Sequence, residues 1–358
     1  MTSDFDRVTG HLRQDESQAY LSEKLGEPIE VLSAKQTYPG FSRQTWLIQT
    51  IVGGSACGFA LRLDPPWGAS VPYSLEHEWR VYETLWKTPV PVAEPLWYEV
   101  GQTFADGRAL MVRRLVEGSS TVAGLNEVGP AGDARRRRVV QSHIEALATL
   151  HSLDWRGAGF DDFISPPPSA ADALRFEFDT WRALWRDRRS EAFPLVTEFL
   201  CWLEECIPSD TPFVSVVKGN NGVGEEIFKD ERLVAMSDFE LTSLGDGVLD
   251  LAFSQGTLEL LGPKETLQLY EQAMGVRVSP ERLAFANLWI RFKAIANING
   301  YALWGMQHNG DFRTTCAALG IVSAKMSIAM LAGCIGKSLI DADRILHRGH
   351  SGYTDLDG

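Results

Sequence analysis

Lys218-Gly219-Asn220-Asn221-Gly222-Val223-Gly224-Glu225 sets a lysine, two amides and a carboxylate into a glycine-rich run, and Asp238-Phe239-Glu240 follows shortly after. Glu225 offers a hard, charged oxygen to a cation such as Mg2+. Lys218 can serve as a base or nucleophile once burial lowers its pKa. Asn220 keeps the shape of an aspartate but cannot take up a proton. Upstream, Arg62 in Ala60-Leu61-Arg62-Leu63 carries a fork suited to phosphate and carboxylate alike, and Glu78 supplies an acid in the segment that follows.

These residues need elements to hold them. Glu30 to Leu63 alternates short apolar runs with the breaks Pro39-Gly40 and Gly53-Gly54, which predicts three antiparallel strands joined by hairpins. Leu75, Trp79, Tyr82 and Leu85 recur at helical spacing over Ser74 to Trp86, with Glu76 and Glu78 in the first turn. Two more strands are expected near Leu96-Trp97-Tyr98 and Leu110-Met111-Val112, and Val116-Glu117-Gly118 reads as a hinge. From Ala134 the period becomes helical, interrupted by a strand-rich segment from Phe213 to Asp238, after which helices return over Leu249 to Leu261, Lys264 to Met274, Pro280 to Tyr301 and Thr314 to Ile340. Strands first and helices second, with strands inserted in the helical half, make a bilobal α+β arrangement with a cleft between the lobes. The expected division is 1–117 for the small strand lobe and 118–358 for the helical lobe, whose loop segment spans 213–250.

The order of these pieces resembles the aminoglycoside phosphotransferase and choline kinase-like family from about Leu32 to Ile340. The resemblance implies a protein-kinase-like fold. The loop is similar to the family's His-Gly-Asp, four residues, Asn, but with Lys218, Asn220 and Glu225 in the places of the histidine, the catalytic aspartate and the metal-binding asparagine. Asp238-Phe239-Glu240, Leu244-Gly245-Asp246 and Asp250-Leu251-Ala252 resemble the family's Asp-Trp-Glu, Gly-Asp-Pro and Asp-Leu-Ala stretch, with Gly247 replacing proline. By that resemblance Asp238 and Glu225 are the metal positions and Asp250 braces the loop. Gly40 and Ser42 belong to a nucleotide loop, and Arg62 paired with Glu78 is the phosphate-binding cation. Lys218 is expected to pair with Glu225 or Asp238 in the metal's place. The implied cofactors are ATP and Mg2+, with Asn220 arguing against ordinary turnover. The segment ending Leu150-His151-Ser152-Leu153-Asp154 also resembles the family, and no chemistry is assigned to His151.

The chain has 358 residues, a net charge of −13, 44% hydrophobic and 23% charged content. Such a charge disfavours nucleic acid and anionic membrane partners, since the only basic run is Arg135 to Arg138, read as a solvated helix start. Five cysteines without framework spacing, and an N-terminus without basic and apolar signal segments, point to reduced thiols in the cytoplasm. Phe176, Trp181, Trp185, Trp289, Tyr301 and Trp304 either line an apolar ligand pocket in the helical lobe or pack its helices.

The substitutions at the loop leave three readings. In the first, the chain is a pseudokinase that binds a nucleotide, a small ligand or a protein with weak or no transfer. In the second it is a divergent ATP-dependent kinase for a small hydroxylated molecule. In the third the cleft serves other chemistry through Lys218.

Overall fold

The computed structural model describes residues 12–37, 42–65, 68–69, 71–189 and 192–297. It begins with helix α1 (Gln14–Leu25) and strands β1 (Ile29–Gln36), β2 (Gln44–Val52) and β3 (Ser55–Leu63), followed by α2 (Leu75–Leu85), β4 (Pro95–Glu99) and β5 (Leu110–Arg114). The five strands form one antiparallel sheet in the order β1-β2-β3-β5-β4. Helix α1 is absent from the sequence reading for a physical reason. Its residues are mostly polar and only Ser17, Tyr20 and Leu21 are buried, so no apolar stripe announces it.

Strand alternation gives the sheet two different faces. Phe59, Leu61 and Leu63 of β3 join Leu110 and Val112 of β5 in a small core under α1. The residues between them face the other way: in the β3–β5 register Arg62 lies opposite Met111, and Ala60 opposite Arg113. That second face receives α2, whose Val81, Tyr82 and Leu85 are buried in the larger core that continues into the helical part. Ser74 caps α2 by accepting the His77 N–H at 3.2 Å.

The helical part contains α3 (Pro130–His151), α4 (Ala173–Arg188), α5 (Pro194–Glu205), α6 (Val248–Phe253), α7 (Gln255–Leu258), α8 (Pro263–Met274) and α9 (Pro280–Asn297). Between α5 and α6 lie β6 (Ser215–Val217), β7 (Ile227–Lys229), β8 (Arg232–Ala235) and β9 (Ser243–Gly245), which pair antiparallel as β6–β9 and β7–β8. The mixed α+β, kinase-like architecture is therefore the one expected. The single helix expected over Leu249 to Leu261 is two, α6 and α7. Ser254 sits at the break, with its hydroxyl bonded back to the Asp250 carbonyl at 2.8 Å. The helix expected over Thr314 to Ile340 lies outside the described residues, as do Gly40, Tyr301 and Trp304.

The basic run opening α3 is consumed internally. Arg135 and Arg138 both reach Glu231, Arg136 pairs with Asp133, and Arg137 with Glu265. No described helix is long and apolar enough to cross a membrane.

Candidate functional site

The loop from Lys218 to Glu225 leaves the end of β6 and is tied down by one carboxylate. Asp250, in the first turn of α6, accepts from the backbone N–H of Lys218 at 2.7 Å and of Gly219 at 2.8 Å, and from the Asn221 side-chain amide at 2.6 Å. His151, at the end of α3, completes the set at 3.0 Å through Nε2, while its Nδ1 meets the Tyr270 hydroxyl at 2.8 Å. Burial raises the Asp250 pKa, but the His151 hydrogen bond and charge and the backbone donors outweigh it, so the carboxyl stays below its ordinary range. Asp250 thus braces the loop by accepting hydrogen bonds. Two glycines make this packing possible. Gly219 has φ +86°, and a Cβ there would fall 2.8 Å from the Leu241 carbonyl oxygen. At Gly247, where the family has proline, a Cβ would come within 2.7 Å of His151 Nδ1 and 2.9 Å of the Tyr270 hydroxyl. The absence of a side chain at position 247 leaves room for the His151–Tyr270 pair.

The far end of the loop is held by residues the sequence did not single out. Glu226 and His143 are both fully buried and meet at 2.6 Å, and His143 Nε2 reaches Ser254 at 2.8 Å. Ser254 Oγ already donates to the Asp250 carbonyl, so the imidazole ring ties α3, the loop and the α6–α7 break into one polar network. Periodicity marks His143 only as a residue on the buried face of α3, and nothing in one sequence pairs it with Glu226.

Where the sheet meets the helical part, the predicted residues converge. Arg62 is 2.9 Å from Glu78, 2.6 Å from Asp238 and 2.5 Å from Glu240. Glu240 Oε2 also accepts from Ser42 Oγ at 2.6 Å and from Arg43 at 3.4 Å. Arg43 reaches in addition Asp64 at 2.8 Å and the Tyr73 carbonyl at 2.5 Å. The sequence singles out neither Arg43, which follows Ser42, nor Glu240, which closes the Asp238-Phe239-Glu240 motif. Only the folded pairing reveals that they meet. Burial, then the neighbouring Asp238 charge, pushes the Glu240 carboxyl up to about 7.

Asp238 is engaged on both oxygens. Arg62 holds Oδ1, and the Asn220 amide donates to Oδ2 at 2.5 Å. Burial raises its pKa, but Arg62, Lys218 and the Asn220 bond outweigh that and hold it below the usual carboxylate range. The residue adopts φ +67°, a left-handed conformation that aspartate tolerates better than most, and its N–H reaches the Tyr82 hydroxyl at 3.3 Å. Glu225 lies close enough for the Asp238 charge to raise its pKa further, after burial.

Lys218 departs from expectation. Its side chain is buried, but the ammonium donates to the Asn220 backbone carbonyl and lies 5.4 Å from the Phe239 ring centroid. It forms no ion pair with Glu225 or Asp238, though its charge lowers the pKa of both. Among the described residues, no group of three or more His, Cys, Asp or Glu side chains is arranged to hold a metal ion. Asp238 and Glu225, the two positions that would hold a metal ion, stand side by side, with the Asp238 oxygens bonded to Arg62 and Asn220 and the Lys218 charge nearby.

Three of the aromatic residues considered for a ligand pocket pack the core instead. Trp181, Trp185 and Trp289 are buried, with Trp289 5.2 Å from Phe178 and 4.9 Å from Phe292 between ring centroids. Lys293 lies 4.6 Å from the Trp181 ring centroid and 2.8 Å from Glu177, which neutralises its charge.

A family model described as the phosphotransferase enzyme family matches residues 34–284. The chain belongs to this family. Solved structures with the same fold include a putative aminoglycoside phosphotransferase from Ralstonia eutropha, with TM-score 0.61 and 20% identity over 80% of this chain and 89% of that one. Another is the macrolide 2'-phosphotransferase MphH from Brachybacterium faecium, with TM-score 0.56 and 22% identity over 85% and 96%. A thermostable mutant of aminoglycoside phosphotransferase APH(4)-Ia in ternary complex with ADP and hygromycin B matches at TM-score 0.53 and 17% identity, over 94% and 99%. Curated relatives of this phosphotransferase-family protein carry a different name. Acyl-CoA dehydrogenase family member 11 of Gallus gallus is 27% identical over 72% of this chain and 35% of the relative. The probable acyl-CoA dehydrogenase IBR3 of Arabidopsis thaliana is 26% identical over 60% and 27%. The chain spans about a third of the length of the curated relatives it matches.

Proposed function

We propose that this phosphotransferase-family chain is a pseudokinase that binds a nucleotide or small ligand with weak or no phosphoryl transfer. The Asn220–Asp238 hydrogen bond carries this reading. In phosphoryl transfer the residue at position 220 accepts the proton of the attacking hydroxyl, and a neutral amide cannot do so. The same amide ties up the carboxylate that would hold a metal, while Lys218 supplies a fixed positive charge near both Asp238 and Glu225. Anionic groups of a ligand would then be held by Ser42, Arg43 and Arg62, with Lys218 in part replacing the charge of a metal ion. The APH(4)-Ia complex with ADP supports a nucleotide as that ligand.

A surviving, divergent kinase activity is the second reading. The Arg62–Glu78 ion pair favours it, because that pair orders the phosphate-binding cation in active kinases. The names of the curated relatives suggest acyl-CoA thioesters as ligands to try, and their additional length suggests a protein partner as another role for the domain. Free Cys57, Cys201 and Cys206 are compatible with the reducing cytoplasm proposed as its location.

The deciding experiment measures melting temperature and heat of binding with ATP, with and without Mg2+, alongside ATP turnover. The pseudokinase reading expects a small shift that does not depend on Mg2+, with negligible turnover. A large shift strictly requiring Mg2+, with turnover at ordinary kinase rates, would establish the second reading instead.

A further inference from the structure

We propose that Glu240 is a built-in occupant of the anion seat formed by Ser42, Arg43 and Arg62, so that a ligand phosphate must displace it. The proposal rests on the nucleotide-binding reading above and adds how access to that site is controlled. A single oxygen, Glu240 Oε2, receives Ser42 Oγ at 2.6 Å, Arg62 Nη2 at 2.5 Å and Arg43 Nη1 at 3.4 Å. Ser42 and Arg43 come from the segment just before β2 and Arg62 from β3, whereas Glu240 lies between β8 and β9 of the helical part. One carboxylate oxygen thereby fills the position in which a phosphate oxygen would be held, using donors equally suited to either group.

The charges make the two occupants exclusive. Arg43 and Arg62 already face Glu78, Asp238 and Glu240, all within 3.6 Å of one or both guanidinium groups. A phosphate would bring further negative charge to two cations that are already outnumbered. Glu78 cannot yield, since its side chain is fully enclosed between α2 and the sheet, and Asp238 is also held by Asn220. Glu240 is the carboxylate shared with Ser42, and so the one whose departure opens the seat. The contact also joins the sheet to the helical part, alongside the Arg62–Asp238 pair.

The test uses inorganic pyrophosphate and ADP as probes, in EDTA, by calorimetry on the full chain and on Glu240→Gln. The measurements are made at pH 8.5, where the Glu240 carboxyl is ionised, and the amide keeps the size of the side chain and removes that charge. Pyrophosphate is expected to bind Glu240→Gln on the order of tenfold more tightly than the parent, or better, because a like charge a few ångströms away has been removed. Affinity that is equal or weaker overturns the proposal, and would mean that Glu240 assists binding. If Glu240→Gln does not fold, Glu240→Asp carries the test. It keeps the charge but withdraws it by one methylene, and a gain in the same direction is expected; no gain overturns the proposal. A pyrophosphate gain without ADP binding in any form keeps the seat and removes the nucleotide reading. ADP binding in the parent without a pyrophosphate gain in Glu240→Gln does the reverse.

Discussion

The side-chain amide of Asn220 donates to Oδ2 of Asp238 at 2.5 Å. An ionised aspartate at position 220 could not make this bond, and would instead set a second carboxylate against the first. The substitution is therefore coupled to the state of its neighbour.

Asn220→Asp alone is expected to destabilise the protein in EDTA by about 1–3 kcal/mol, the cost of a lost charge-assisted bond and an added like charge. Millimolar Mg2+ should restore most of it, since a cation would then bridge the two carboxylates. Melting temperatures in EDTA and in Mg2+, for parent and variant, check this. A variant as stable as the parent in EDTA, or one indifferent to Mg2+, contradicts it.

The triple change Lys218→His, Asn220→Asp, Glu225→Asn should raise ATP turnover on the order of 10²- to 10⁴-fold, the usual contribution of a general base. Arg62 and Glu78 remain paired in it, and removal of Lys218 takes away the buried ammonium that competes with a metal ion. Asn220→Asp alone should give much less. If the parent turns over ATP at ordinary kinase rates and the triple change lowers them, the pseudokinase reading fails.

Asp250→Ala should cost about 3–5 kcal/mol, measured by urea denaturation. It would leave two backbone N–H groups, the Asn221 amide and His151 without their acceptor in a buried setting. Asp250→Asn should be milder, because one amide oxygen can still accept. Equal losses in the two variants would mean that charge, and not the number of acceptors, matters there.

His77 gives a pH dependence. Burial, and after it the nearby Arg43 and Arg80, lowers its pKa to about 4, while its Nε2 donates to the Thr242 carbonyl at 3.0 Å. A histidine with a depressed folded pKa contributes stability that is complete above its unfolded pKa of 6.5 and is lost as pH falls towards 4. The loss attributable to this group is at most about 3 kcal/mol. Denaturation midpoints between pH 7.5 and 4.5 should fall less steeply for His77→Gln than for the parent, and parallel curves would exclude His77 as the source.

The sequence by itself determined the order of the elements and the family. The short apolar runs of β2 and β3 between turn signals, the helical spacing around Tyr82 and the glycine-framed loop are local patterns, so one chain suffices to read them. It also determined which chemical groups the loop contains. Helix α1 escaped because few of its residues are buried, and the break at Ser254 escaped because its cause is a hydroxyl bond and a distant His143. What only the tertiary structure decided is who meets whom. Glu240 and Ser42 are far apart along the chain, and Lys218 turns towards a backbone carbonyl and not to the acids beside it. Such contacts depend on how the sheet docks on the helical part, and charge pairing over that distance leaves no periodicity in the sequence that could be read in advance.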